Sequence, residues 1–212
     1  MIDLYTWHTP NGRKVSIMLE EIGMDYKVFP INIAKDEQFQ PHFLKISPNN
    51  RIPAIIDKDN NNYSLFESGA ILMYLAEKSG KLINKSNSDE YFTTMEWLMW
   101  QMGGVGPMFG QVHHFVKYNK GKSAYAEERY SKEARRLYGV MDKRLSVNPY
   151  IAGKEYSIAD ISIWPWTARF DWQEIDLNEF PNVARWYKEM IDRPAVQKGW
   201  LVPENDQLIP SI

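Results

Sequence analysis

The chain has no cysteine among its 212 residues. That absence excludes structural disulfides, thiolate metal sites and any nucleophilic thiol supplied by the protein itself. An excess of charge is missing too: 25 basic against 27 acidic residues leave a formal net charge of −2. Broad nucleic-acid binding needs a basic face and is not expected here. Long apolar runs are also lacking. The stretch from Ala70 to Ala76 is among the longest, far short of the ~20 residues of a membrane span. The opening "MIDLYTWHTPNG" has no basic region followed by an apolar stretch, so no secretory signal is expected and the cytoplasm is the default compartment. What is present, 44% apolar and 25% charged residues, is ordinary for a globular protein with material for one large or two small cores.

The first eighty residues change type repeatedly. "IDLYTW" (2–7) reads as a strand broken by "TPNG" (9–12). Val15, Met18, Leu19 and Ile22 then fall on one helical face, with Gly23 as a stop. "YKVFPINI" (26–33) reads as a second strand, with Pro30 at an edge or bulge. A short helix over 41–48, strands over 52–57 and 62–67 around the turn-rich "KDNNN", and a helix running to Gly80 complete the series. The order is β-α-β-α-β-β-α. After the polar link 78–90 the strands stop. Tyr91, Met95, Leu98, Met99 and Met102 keep helical spacing, as do Tyr130, Ala134, Leu137, Met141 and Leu145. Further helices are expected from "SIAD" (157–160) and after Pro181. Two domains follow, 1–80 as an α/β unit and 88–212 as an all-helical one.

Four stretches in this order carry a resemblance: "TPNG" after the first strand, "RIPAIID" at 51–57, "FESGAI" at 66–71 and "YSIADISIWPW" at 156–166. Over nearly its whole length the chain resembles the glutathione transferase family. "ISPNNRIPAI", "GGVGPM" and "QVHHF" make it most similar to the nu class, whose members are glutathione-dependent disulfide-bond reductases. The resemblance implies a thioredoxin-like first domain, an all-α second domain, and glutathione as cosubstrate with no metal.

Taken as residues alone, Glu67-Ser68 is a pair of helix-start caps. The resemblance gives them a second role. A helix N-terminus with a hydroxyl suits the α-carboxylate of glutathione's γ-glutamyl end, and a neighbouring carboxylate suits its ammonium. It also implies a cis Ile52-Pro53 peptide, with Ile52 pairing to the cysteinyl backbone of the ligand. "TPNG" would hold the thiol at the positive end of a helix, where thiolates are favoured. Asn11 is expected to donate its amide N–H to the sulfur, and Thr9 stands where other classes place a serine hydroxyl. Tyr5 is a rival sulfur partner, set aside as a core or flanking residue because it lies inside the strand. Gln38 would contact the glycyl end, and Arg129 would reach the ligand carboxylates from the helical half. A surface ion pair with Glu127, Glu128 or Glu133 is the alternative for Arg129.

Other features read as structure. His113 and His114 point about 100° apart on a helix and do not readily share a metal. The Met and Trp stripe from Trp97 to Met108 is core and dimer contact, with "GGVGP" a break or close approach. Ser157 and Asp160 make a capping box, and Pro165 lies where it would kink a helix. Trp7 and His8 are bulkier than expected beside the first turn and would line a pocket for the second substrate. The expected activity is disulfide exchange by a bound glutathione thiolate in a homodimer. The alternatives are conjugation of carbon electrophiles, or a non-catalytic binding protein on the same fold.

Overall fold

The computed structural model describes all 212 residues. The chain divides into two compact units. One comprises Met1–Lys81 and Asp192–Ile209; the other comprises Leu82–Ile191 and Pro210–Ile212.

In the first unit β1 (Ile2–Thr6), β2 (Tyr26–Pro30), β3 (Ala54–Asp57) and β4 (Tyr63–Phe66) form a mixed sheet in the order β2-β1-β3-β4. β1 runs parallel to β2 and antiparallel to β3, and β3 is antiparallel to β4. The helices are α1 (Pro10–Ile22), the single turn α2 (Pro41–Leu44) and α3 (Ser68–Ser79). This is the thioredoxin-like arrangement. Its register places Ala54 between Tyr5 and Phe66. The last residues of β1 and β4 and the first of β3 therefore share one end of the sheet, and β2 ends there too, Pro30 opposite Thr6. Beneath it lies an apolar cluster of Ile31, Phe43 and Ala54, joined by Tyr5, Ile46, Ile52 and Phe66.

α1 begins and ends as its sequence directs. Thr9 caps it by accepting from Gly12 N at 3.3 Å, Pro10 occupies the first turn, and Gly23 closes it in the left-handed conformation. Gly12 allows the helix to approach the end of β1: a Cβ there would lie 2.1 Å from Trp7 O. The second strand ends at Pro30, earlier than expected, and two short 3₁₀ turns fill the space before α2.

Residues 192–209 join this first unit, not the helical half in which the sequence reading set them. α9 (Pro194–Trp200) lies on α1 at backbone contact, since a Cβ on Gly199 would meet Ile17 Cα at 2.6 Å. Ser16 Oγ donates to Gly199 O at 2.6 Å, and Arg193 donates to the two Glu21 carboxylate oxygens through Nε and Nη2 at 2.6 and 2.9 Å. The buried Arg13 guanidinium stacks 3.4 Å from the Trp200 ring centre and donates to Trp200 O. No apolar periodicity announces such contacts.

The second unit is helical: α4 (Asp89–Trp100), α5 (Gly106–Val112), α6 (Ala124–Leu145), α7 (Ile158–Thr167) and α8 (Pro181–Ile191). Of the two readings of "GGVGP", close approach and break, the first holds at Gly106, where a Cβ would lie 2.6 Å from Gln101 Nε2, and the break does not occur. Gln101–Val105 is π-helical and the backbone continues into α5, with a second π-helical stretch at His113–Tyr118. Pro107 lies inside this continuous helix, where the π-helical stretch before it accommodates the missing N–H.

The capping box at the start of α7 extends into a hub. Asp160 accepts from Ser157 N at 3.1 Å, Ser157 Oγ at 3.2 Å, Ile151 N at 2.9 Å and Trp186 Nε1 at 2.9 Å. Burial pushes its carboxyl up to about 6, against these four donors. One carboxylate thus fixes α7, α8 and the preceding loop. Asp160→Asn would turn an amide NH₂ toward donors. It is expected to cost about 2–4 kcal/mol near pH 8, read as a lower thermal midpoint. A midpoint equal to that of the unaltered protein would remove the hub from the account.

Candidate active site

The expected ligand residues of the first unit gather at the sheet end defined by Tyr5, Ala54 and Phe66. Thr9 and Asn11 open α1 just beyond β1, Ile52 and Pro53 immediately precede β3, and Glu67 and Ser68 follow β4 into α3. The Ile52-Pro53 peptide is cis. Tyr5 stacks on Phe29 with ring centres 4.8 Å apart and packs in the apolar cluster, which agrees with its core reading.

The start of α3 does not use its side chains as ordinary caps. Glu67 stands at the N-cap without a side-chain capping bond, exposed, and with φ of 72°. A non-glycine residue in that region costs about 1–3 kcal/mol and marks a candidate functional position. Its carboxylate accepts a long 3.5 Å bond from Asn49 Nδ2. Ser68 is buried, and its Oγ accepts from Lys14 Nζ at 3.2 Å. A caps-only reading leaves both arrangements without a purpose.

Lys14 was not anticipated. It is fully buried on α1, and burial lowers its pKa to about 7 while the Glu67 charge acts the other way. Arg13 beside it is equally buried. A signal was present: Lys14 and Met18 are four residues apart, so Lys14 lies on the apolar face of its helix. The start of α1 therefore has two buried cations close behind its capped N-terminus, a setting that favours anions.

Gln38 sits in a 3₁₀ turn after β2, only 8% exposed. Its Nε2 makes a long 3.4 Å bond to Asp36, and its Oε1 is buried with no partner in the protein. Buried amide oxygens are ordinarily satisfied, so Gln38 fits a ligand contact better than a packing role.

Arg129 belongs to the second unit, exposed on α6. Together with the Arg136 bond, its charge helps to lower the pKa of Glu133, but the expected partners make their hydrogen bonds with other groups. Glu128 pairs with Lys132, Glu133 binds Arg136 at 2.8 Å, and Glu127 accepts from Gly121 N at 2.8 Å. Arg129 lines a cavity of about 610 Å³ with these same acids, Glu128 and Glu133, and with Met108, Tyr125, Tyr130, Lys132 and Arg136. His113 is buried and its pKa is lowered to about 4 by burial and the Arg169 charge; Gln173 Nε2 lies 3.2 Å from its Nε2. It is a packing residue, in line with its sequence reading.

The fold and these positions define a glutathione transferase-type protein. Residues 1–77 match the glutathione S-transferase N-terminal domain and residues 102–194 the C-terminal domain, and the chain belongs to this family. It is 47% identical to the disulfide-bond oxidoreductase YfcG of Escherichia coli over 95% of each chain. A glutathione transferase family member from Pseudomonas fluorescens with two glutathione bound superposes with a TM-score of 0.91 at 45% identity, covering 95% of this chain and 93% of that one. A glutathione transferase from Pseudomonas putida with one glutathione disulfide bound per subunit gives 0.89 at 43% identity, over 95% and 91%.

The strain at Glu67 can be tested without any ligand. Glu67→Gly is expected to raise stability by about 1 kcal/mol, after the greater entropy of glycine in the unfolded chain is subtracted. Denaturant unfolding measures this. A loss of stability would show that the Glu67 side chain, not its backbone, dominates the position.

Proposed function

We propose that the protein is a glutathione-dependent disulfide-bond oxidoreductase. The observation that carries this reading is the pair of helix N-termini at one sheet end, α1 with Thr9 and Asn11, α3 with Glu67 and Ser68. The similarity to a disulfide-bond oxidoreductase favours exchange over conjugation.

Glutathione is held at three points. Ser68 and the free N–H groups of α3 receive the γ-glutamyl carboxylate, and Glu67 receives the ammonium. Ile52 pairs with the cysteinyl backbone, and Gln38 meets the glycyl end. Arg129 contributes to ligand carboxylates as a guanidinium fork. The sulfur lies at the start of α1, where the helix dipole and the Asn11 amide stabilise the thiolate. That thiolate attacks one sulfur of the substrate disulfide, forming a mixed disulfide and expelling the other sulfur as a thiolate that takes up a proton. A second glutathione thiolate attacks the mixed disulfide, releasing glutathione disulfide and the second thiol. Two glutathiones lose two electrons and the substrate gains them. The protein supplies position and field, because it has no thiol of its own.

The chain is expected to act in the cytoplasm as a homodimer. Phe92 and Met99, both exposed, lie seven residues apart on one face of α4, where a second copy would cover them. No helix is long and apolar enough to cross a membrane.

Turnover of a small disulfide with glutathione, beside turnover of a chlorinated aromatic, separates the two chemistries. Disulfide reduction well above the uncatalysed rate is expected. Conjugation alone would replace the reading with that of an ordinary transferase, and retention on immobilised glutathione without either would favour a binding protein. Within the reductase, Asn11→Ala should raise the pKa of bound glutathione's thiol by about one to two units, the worth of one donor to a charged sulfur. Thiolate absorbance against pH measures it. An unshifted curve would transfer the role to Thr9 or the backbone.

A further inference from the structure

The carboxylate position at the start of α3 has a cation built behind it. Lys14 Nζ reaches Ser68 Oγ at 3.2 Å from the core side of α1, with neither residue more than 3% exposed. A charged ammonium has three donors and no acceptor. Ser68 Oγ therefore accepts from Lys14, and its own hydrogen is given in another direction. Such a hydroxyl is matched to a carboxylate and mismatched to a donor. A buried lysine is costly unless its charge is used.

The neighbouring charges are otherwise committed. Arg193, just before α9, and Lys198 within it bind Glu21 and Glu20, Lys78 of α3 holds Asp57, and Arg13 turns to Trp200 and Gln207. Glu67 is the carboxylate whose charge acts on Lys14, and in the proposed complex it meets the ligand ammonium.

We propose that Lys14 is the positioning residue of the carboxylate subsite, fixing Ser68 as a donor and placing a positive charge behind the γ-glutamyl carboxylate of the ligand. The inference rests on the glutathione reading above. It adds a consequence that reading lacks. Burial lowers the Lys14 pKa to about 7 in the free protein, so above that pH the Lys14 amine is largely neutral when no ligand is bound. A carboxylate arriving at Ser68 raises the lysine pKa and draws in a proton. Affinity then falls as pH rises past the free-protein value, until the bound-state pKa is reached.

The test is calorimetric titration with S-methylglutathione, which has no thiol proton, and with an analogue whose γ-glutamyl α-carboxylate is replaced by hydrogen. Lys14→Met should weaken S-methylglutathione at least roughly tenfold and leave the analogue nearly unchanged. Equal losses for both ligands would reduce Lys14 to a structural role and overturn the proposal. Should that variant not fold, the unaltered protein decides. At about pH 8, in buffers of differing ionisation enthalpy, it should take up most of one proton with S-methylglutathione and clearly less with the analogue. Lys14→Arg, charged throughout, should bind without that uptake. Equal uptake for the two ligands contradicts the proposal. Failure of the unaltered protein to bind S-methylglutathione at all is a different outcome, and removes the glutathione reading itself.

Discussion

The pairing of Ala54 with Tyr5 on one side and Phe66 on the other decides where every candidate ligand group of the first unit goes. A one-residue slip in either ladder would send alternate side chains to the opposite face. It would also part the start of α1 from the start of α3. The register is secured by burial: Leu4, Ala54 and Ile55 are inaccessible to solvent, and Phe43 and Ile31 pack against Ala54. The apolar core of this unit therefore also fixes where the candidate ligand groups stand. Gly12 completes the arrangement by letting α1 begin almost on the backbone of Trp7.

Two helix N-termini and two buried cations then give this sheet end its electrostatic character. Arg13 and Lys14 are consecutive yet serve different partners. Arg13 anchors the returning C-terminal segment through Trp200 and Gln207, while Lys14 faces Ser68. Glu67 adds a strained backbone and an exposed carboxylate. A fold under selection for stability alone would avoid a buried lysine and a left-handed glutamate. Their proximity is what distinguishes a site from a helix start.

Much of this was legible in the sequence because it is local. The order of elements follows from apolar period and from turn residues, Thr9 and Pro10 announce α1, and Ser157 with Asp160 announces α7. Glu67-Ser68 was ambiguous, since caps and carboxylate sites use the same residue types; the absent capping bond and the bond from Lys14 favour the second. What escaped was non-local. The burial of Arg13 depends on Trp200, far along the chain, and that of Lys14 was marked only by its place on the apolar face of α1. The return of 192–209 to α1 depends on a glycine contact and two ion pairs. The uninterrupted passage through Gln101–Val105 escaped because glycines and a proline ordinarily end a helix, whereas here a π-helical stretch absorbs them.

The central claim is that disulfide exchange runs between ligands held by the protein, with no covalent step on the protein. Mass spectrometry of the protein, quenched with acid during turnover of a small disulfide by glutathione, tests it most directly. The account predicts the unmodified chain mass at every time point, with glutathione disulfide accumulating in solution. A protein-linked glutathione adduct that forms and decays at the rate of turnover would contradict it.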